Sequence, residues 1–185
     1  MRKERMLEQL KRDEKANEEM ARKMAEKYPG AEKILEEIRD KYDYQNEEYM
    51  MIVPRSLVDI AIDGSALHHC TGWSERYYER IMQRETYICF LRRKAEPDIP
   101  YYTIEVEPGG TIRQHRSYLD EEPGVEEIRG FLREWQREIK NRLTKEDHRL
   151  ASVSVIKRQK NIDELKEKKN TRVLKCLEED FMEAI

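Results

Sequence analysis

Apolar residues are sparse toward both ends of the chain and gather between Tyr49 and Leu143. Residues 1–27 hold no Pro or Gly and are rich in Lys, Glu, Arg, Met and Ala, all good helix formers. Met6, Leu7 and Leu10 make one apolar stripe and Met20, Ala21 and Met24 another, so this predicts a weakly amphipathic helix. Tyr28-Pro29-Gly30 stops it, and Ala31 to Lys41 resumes with Ile34, Leu35 and Ile38 at helical spacing. Tyr49 to Val53 reads as a short buried strand ended by Pro54. Ser56 is placed to cap a helix bearing Leu57, Val58, Ile60, Ala61 and Leu67, with Asp63-Gly64 a point where it could break. After a bend at Gly72, Glu75 to Arg84 reads as a helix offering Tyr77, Tyr78, Ile81 and Met82 for packing.

Thr86 to Arg92, Pro100 to Glu107 and Thr111 to Arg116 alternate as strands do. Their short connections permit only antiparallel neighbours, giving a meander. Burial suggests a register pairing Val106 with Ile112, Glu105 with Arg113 and Ile104 with Gln114, which turns Gln114 toward the core and His115 to the other face. An amphipathic helix follows from Val125 to about Leu143, striped by Ile128, Phe131, Leu132, Trp135 and Ile139. Thr144-Lys-Glu-Asp147 resembles a capping box for a further helix reaching about Lys169, and Asn170 separates it from a short last one. The pattern predicts an α+β fold: a small antiparallel β-sheet covered by helices. It divides into a helical N-terminal arm (residues 1–45), an α+β core (46–143) and a helical C-terminal extension (144–185).

Composition narrows the classes. Charged residues make up 41% of the 185, and mean hydropathy is −0.99, so the apolar material suffices for one modest core. The net charge of −3 gives no global attraction to nucleic acid, although local patches remain available. No apolar run approaches the roughly 18 residues of a membrane span, and Met1-Arg-Lys-Glu-Arg lacks the apolar stretch of a secretion signal, so the expected compartment is cytoplasmic. Cys70, Cys89 and Cys176 are odd in number and lack CxxC spacing, which argues against a disulfide framework or a zinc knuckle.

Chemistry concentrates in Gly64-Ser-Ala-Leu-His68-His69-Cys70-Thr-Gly72, which carries half of the histidines. As an enzyme, the chain would use Cys70 as nucleophile with His69 among the candidate imidazoles and Gln114 as oxyanion donor. A thiol of ordinary pKa, about 8.5, needs such a neighbour to ionise. Adjacent residues seldom face each other, which makes His115 a better-placed base than His69, with His68 the third candidate; the bland reading makes Cys70 a small core residue and His69 a turn residue holding the loop to the sheet. His69 and Gln114 would otherwise form a polar network that positions a recognition surface. His68, Cys70, Glu105 and His115 assemble into a metal site only on paper, and no metal or cofactor is expected. Arg92, Arg93, Lys94, Arg113 and Arg116 are candidate nucleic-acid contacts, with Tyr101, Tyr102 or Trp73 to stack bases and the Lys-rich segment 157–175 as a second candidate. Arg129, Arg133 and Arg137 recur on one helix beside glutamates at i,i+4 spacing and read as a solvated face.

Met51-Ile-Val-Pro54, Ala66-Leu-His-His-Cys70, Tyr77-Tyr78, Tyr87-Ile-Cys-Phe-Leu-Arg92, Pro100-Tyr-Tyr-Thr-Ile-Glu105 and Ile112-Arg-Gln114, in that order, resemble the PcfJ-like proteins over roughly residues 45 to 185. Ser117-Tyr-Leu-Asp120 stands where that family suggests an Asn, which removes one member of any catalytic set. The resemblance implies a conjugative-plasmid or phage context. The expectation is an accessory protein binding protein or DNA, in DNA transfer or in anti-defence by blocking a host nuclease. The alternative is a cysteine-dependent hydrolase or transferase.

Overall fold

A computed structural model describes residues 1–185. Helices α1 (Arg2–Lys27) and α2 (Ala31–Tyr42) lead into strands β1 (Tyr44–Gln45) and β2 (Tyr49–Ile52), then α3 (Leu57–Leu67) and α4 (Glu75–Met82). Strands β3 (Tyr87–Arg93), β4 (Tyr102–Val106) and β5 (Ile112–Arg116) complete the sheet, and α5 (Val125–Ile139), α6 (Lys145–Glu167) and α7 (Thr171–Asp180) close the chain. The five strands lie in sequence order, each antiparallel to the next. The fold is thus the expected α+β meander with helices at both ends.

Both predicted caps form: the Ser56 N–H donates to Asp59 Oδ2 at 3.2 Å, and Asp147 N donates to Thr144 Oγ1, also at 3.2 Å. Helix α3 runs unbroken through Asp63-Gly64. Side chains that pair across neighbouring strands share a face, so Tyr87, Cys89, Leu91, Tyr102, Ile104 and Met51 point one way, toward α5. There Tyr44 and Tyr49 pack on Phe131 with ring centroids 5.9 and 5.5 Å away, and Trp135 Nε1 donates to Tyr42 O at 2.7 Å. Helices α3 and α4 cover the opposite face.

The expected arm boundary at residue 45 is not a break in packing. Leu35, Ile38 and Tyr42 of α2 belong to the same buried cluster as the sheet, and Met24 of α1 joins it. Two short elements carry no sequence signal: β1, and the bridge in which Met182 and Ile112 exchange backbone hydrogen bonds of 2.8 and 2.9 Å.

The β4–β5 register differs from expectation. Val106 does pair with Ile112, but Arg113 is bulged out, so Glu105 pairs with Gln114 and Ile104 with His115. Gln114 therefore leaves the α5 core face and joins Glu105 on the other, while buried His115 takes the place assigned to Gln114.

Candidate functional site

The bend that presents Cys70 is held by backbone contact. Residues Cys70–Gly72 form a single 3-10 turn tucked against α3, so close that a Cβ on Gly72 would lie 2.8 Å from Ala61 Cα and one on Gly64 2.7 Å from Gly72 N. Two glycines are needed there because no side chain fits between the segments. His68, at φ 55° and ψ 44°, closes α3 in the left-handed conformation and packs edge-on against Tyr118.

Beneath the bend lies a chain of buried polar groups. Arg92 Nη1 donates to Asp63 Oδ1 at 2.8 Å, and Thr103 Oγ1 donates to Asp63 Oδ2. Having given its only proton to that carboxylate, Thr103 accepts from His69 Nε2 at 2.8 Å. Burial holds the His69 imidazole below its ordinary pKa, so it is neutral at pH 7 and serves to tie the bend to the sheet. The expected His69–Gln114 hydrogen bond does not form: His69 bonds Thr103, and Gln114 bonds Glu105.

Cys70 and Gln114 line one open groove of about 1130 Å³ between α4, the β4–β5 edge and the α6–α7 hairpin. Its floor is an ion-pair lattice. Glu105, 2% exposed, accepts from Arg80 Nη1 at 2.7 Å, Thr86 Oγ1 at 2.9 Å and Gln114 Nε2 at 2.8 Å. Burial alone would push the Glu105 carboxyl up, but the Arg80 and Arg113 guanidiniums outweigh it and hold it below its ordinary value. Arg113 reaches Glu107 at 2.8 Å and Glu85 at 2.9 Å, and Arg158 of α6 joins Glu107 at 2.6 Å. Ser154 Oγ donates to Glu85 O at 2.8 Å, seating α6 on the same lattice.

The outer wall is different in character. Leu165, Leu174, Leu177 and Phe181 give it apolar surface, and its rim carries Lys166 and Arg172 opposite Arg76 of α4. These three exposed cations form no ion pairs, in contrast to the arginines of the floor. Asp120 and Glu178 also line the groove.

Several expected contacts are relocated by this geometry. Arg92 and Arg113 are buried and spent on internal carboxylates, so neither is a surface donor to phosphate. Arg116 lines the groove, but its Nε is held by Asp180 at 2.9 Å and its charge is offset by Glu122 at 3.7 Å and Glu179 at 4.0 Å. Arg93 lies over the Tyr101 ring at 4.0 Å, and Lys94, though exposed, stands outside the groove. Arg129 and Arg133 do not form a solvated ladder: Arg129 Nη1 bonds His115 Nε2 at 2.9 Å, and Arg133 Nη1 donates to Glu183 O at 2.7 Å. The segment 157–175 carries an excess of positive charge instead, eight basic against three acidic residues, of which Arg158 and Lys175 are paired with Glu107 and Glu179.

No imidazole hydrogen-bonds the exposed Cys70 thiol. None of the three suggested bases is placed on it: His69 is bonded to Thr103, His115 to Arg129 on the far face of the sheet, and His68 packs against Tyr118. Nor is Cys70 a core residue, since it is exposed at the bend. Gln114 is not free to serve as oxyanion donor, because one N–H of its amide is given to Glu105 and the other turns to the Tyr77 hydroxyl.

One further cluster brings metal-type donors together. His115, Glu122 and Asp180 place ligand atoms within 4.8 Å of one another. The set does not fit a cation. Arg129 is an obligate donor, so His115 Nε2 must hold the lone pair and Nδ1 the proton, which faces Glu122 Oε1 at 2.8 Å. A ligating histidine needs the reverse, a bare nitrogen toward the metal and an N–H toward an acceptor.

A family model described as PcfJ-like protein matches residues 4–131. The chain belongs to the PcfJ-like family. The match takes in α1 and α2, further toward the start than the sequence resemblance reached, and ends within α5, so the basic hairpin lies beyond it. The PcfJ-like chain is also 30% identical over 96 residues to "Uncharacterized protein Lin1253/Lin1744" of Listeria innocua, across 52% of its own length and 20% of that protein's. It therefore spans about a fifth of the curated relative it matches. No solved structure matches it, and no helix is long and apolar enough to cross a membrane.

Proposed function

We propose that this PcfJ-like chain is a binding module of a mobile genetic element, taking single-stranded DNA in the groove beneath the α6–α7 hairpin. One observation carries the reading: Arg76, Lys166 and Arg172 are unpaired around a groove whose other cations are neutralised. Free cations at a rim release counterions when they meet phosphates, whereas paired ones must first break an ion pair. The apolar wall of Leu174, Leu177 and Phe181 suits unstacked bases, which a duplex keeps inside. Such a module would serve DNA transfer or the blocking of a host nuclease. A protein partner would use the apolar wall without needing the rim charges. The cysteine-dependent hydrolase has weaker support, since neither a base on Cys70 nor an oxyanion donor is in place.

The test is fluorescence anisotropy with a labelled single strand between about 50 and 200 mM salt. Arg76→Ala, Lys166→Ala and Arg172→Ala combined should weaken binding and flatten the slope of log K against log salt by about 2, at roughly 0.7 for each phosphate no longer neutralised. Absence of binding, or an unchanged slope, would sink the reading. A transfer or interference function abolished by Cys70→Ser yet intact in the triple variant would favour the hydrolase.

A further inference from the structure

Resting on that reading of the groove, we infer that Gln114 is its base-discriminating residue, presenting a fixed carbonyl acceptor that selects bases with an exocyclic amino group over thymine or uracil. The orientation of a side-chain amide is usually ambiguous, but here the neighbour decides it. Glu105 Oε2 lies 2.8 Å from the amide nitrogen, and an ionised carboxylate only accepts, so one N–H is given to Glu105 while the other turns to the Tyr77 hydroxyl, which leaves the carbonyl facing away. Glu105 cannot turn, because Arg80 and Thr86 hold its other oxygen at 2.7 and 2.9 Å. The Arg113 bulge sets the side chain on this face, and Gln114 is half-buried in the groove lining with Oε1 receiving no donor from the protein.

The floor therefore reads as an acceptor with a buried carboxylate behind it. Cytosine N4 and adenine N6 offer an amino donor that such a group can take. Thymine and uracil offer only N3–H, flanked by two carbonyl oxygens, one of which would be brought toward the negative end of Gln114 and Glu105. An unconstrained glutamine would rotate to satisfy either kind of base. This one is locked, and rejection follows from the lone pairs it would leave opposed.

Oligo(dC), oligo(dA) and oligo(dT) of equal length, titrated against the unmodified chain, test the inference without any substitution. Oligo(dC) and oligo(dA) should bind about threefold to tenfold more tightly than oligo(dT), the range of one neutral hydrogen bond. Gln114→Met, which keeps length and volume but removes the acceptor, should bring all three to the affinity of oligo(dT). Equal affinities for the unmodified chain, or a Gln114→Met loss shared equally by all three, would overturn the inference and leave the groove as a nonselective strand site. If none of the three binds, the nucleic-acid reading itself fails and takes this one with it.

Discussion

Glu105 gathers three donors at the floor of the groove. It is a buried carboxylate whose charge is matched by Arg80, and it sets the orientation of Gln114. Removing one member of a buried ion pair leaves the other charged and desolvated, which costs more than the pair contributes. Glu105→Gln, nearly isosteric, should therefore lower unfolding stability by about 3 kcal/mol in chemical denaturation. Arg76→Ala, at an exposed cation without an ion pair, should change it by less than about 0.5 kcal/mol. Equal effects would mean that the floor lattice is not the stabilising unit. The same contrast explains why the basic residues singled out in the sequence are of two kinds. Arg92 and Arg113 sit beside carboxylates that are distant in sequence, Asp63 and Glu85, and nothing local announces that pairing.

At the level of elements, periodicity carried most of the fold. The stripe Ile128, Phe131, Leu132, Trp135 and Ile139 is fully inside, and the Ser56 and Thr144 caps fall where expected. The register of β5 was not legible, because the bulge at Arg113 is fixed by Glu107, by Glu85 ahead of β3 and by the Ser154 carbonyl of α6, whose positions no turn rule supplies. That Cys70 and Gln114 line one groove was not legible either, since the register read from the sequence sets Gln114 on the α5 face and only the bulge turns it to the groove. What makes that bend rigid is the Gly64–Gly72 contact. Gly72→Ala would force a methyl to 2.8 Å from Ala61 Cα, so α3 and the turn must separate. The expected cost is about 1–3 kcal/mol in thermal or denaturant unfolding, together with faster hydrogen exchange at residues 68–74. Gly130, with nothing within 4 Å of an added Cβ, is the control that should tolerate alanine.

Across the whole molecule, the α6–α7 hairpin and the sheet are joined through a titrating clamp. His115 and Arg116 of β5, Glu122, Arg129 of α5 and Asp180 of α7 meet there, beside Tyr102 of β4, and Asp180 is fully buried. Burial and the adjoining Glu122 push the Asp180 carboxyl up to about 8 from 3.8, so it carries a proton at neutral pH, while burial lowers His115 from 6.5 to about 4. The two act in opposite directions. The Asp180 contribution is complete below 3.8 and is lost as pH rises through about 8; that of His115 is present above 6.5 and is lost as pH falls through about 4. Between about 4 and 6.5 these slopes offset each other, and above 6.5 only the Asp180 loss remains. Above pH 6.5 the melting temperature should therefore fall as pH approaches 8, with Asp180→Asn removing that alkaline decline. Because α7 forms the wall of the groove and Met182 beyond it pairs with Ile112, the first amides to lose exchange protection above pH 7 should be those of residues 171–182. A melting temperature that rises from pH 6.5 to 8, or an Asp180→Asn variant that keeps the decline, would show that the clamp does not hold its proton as inferred.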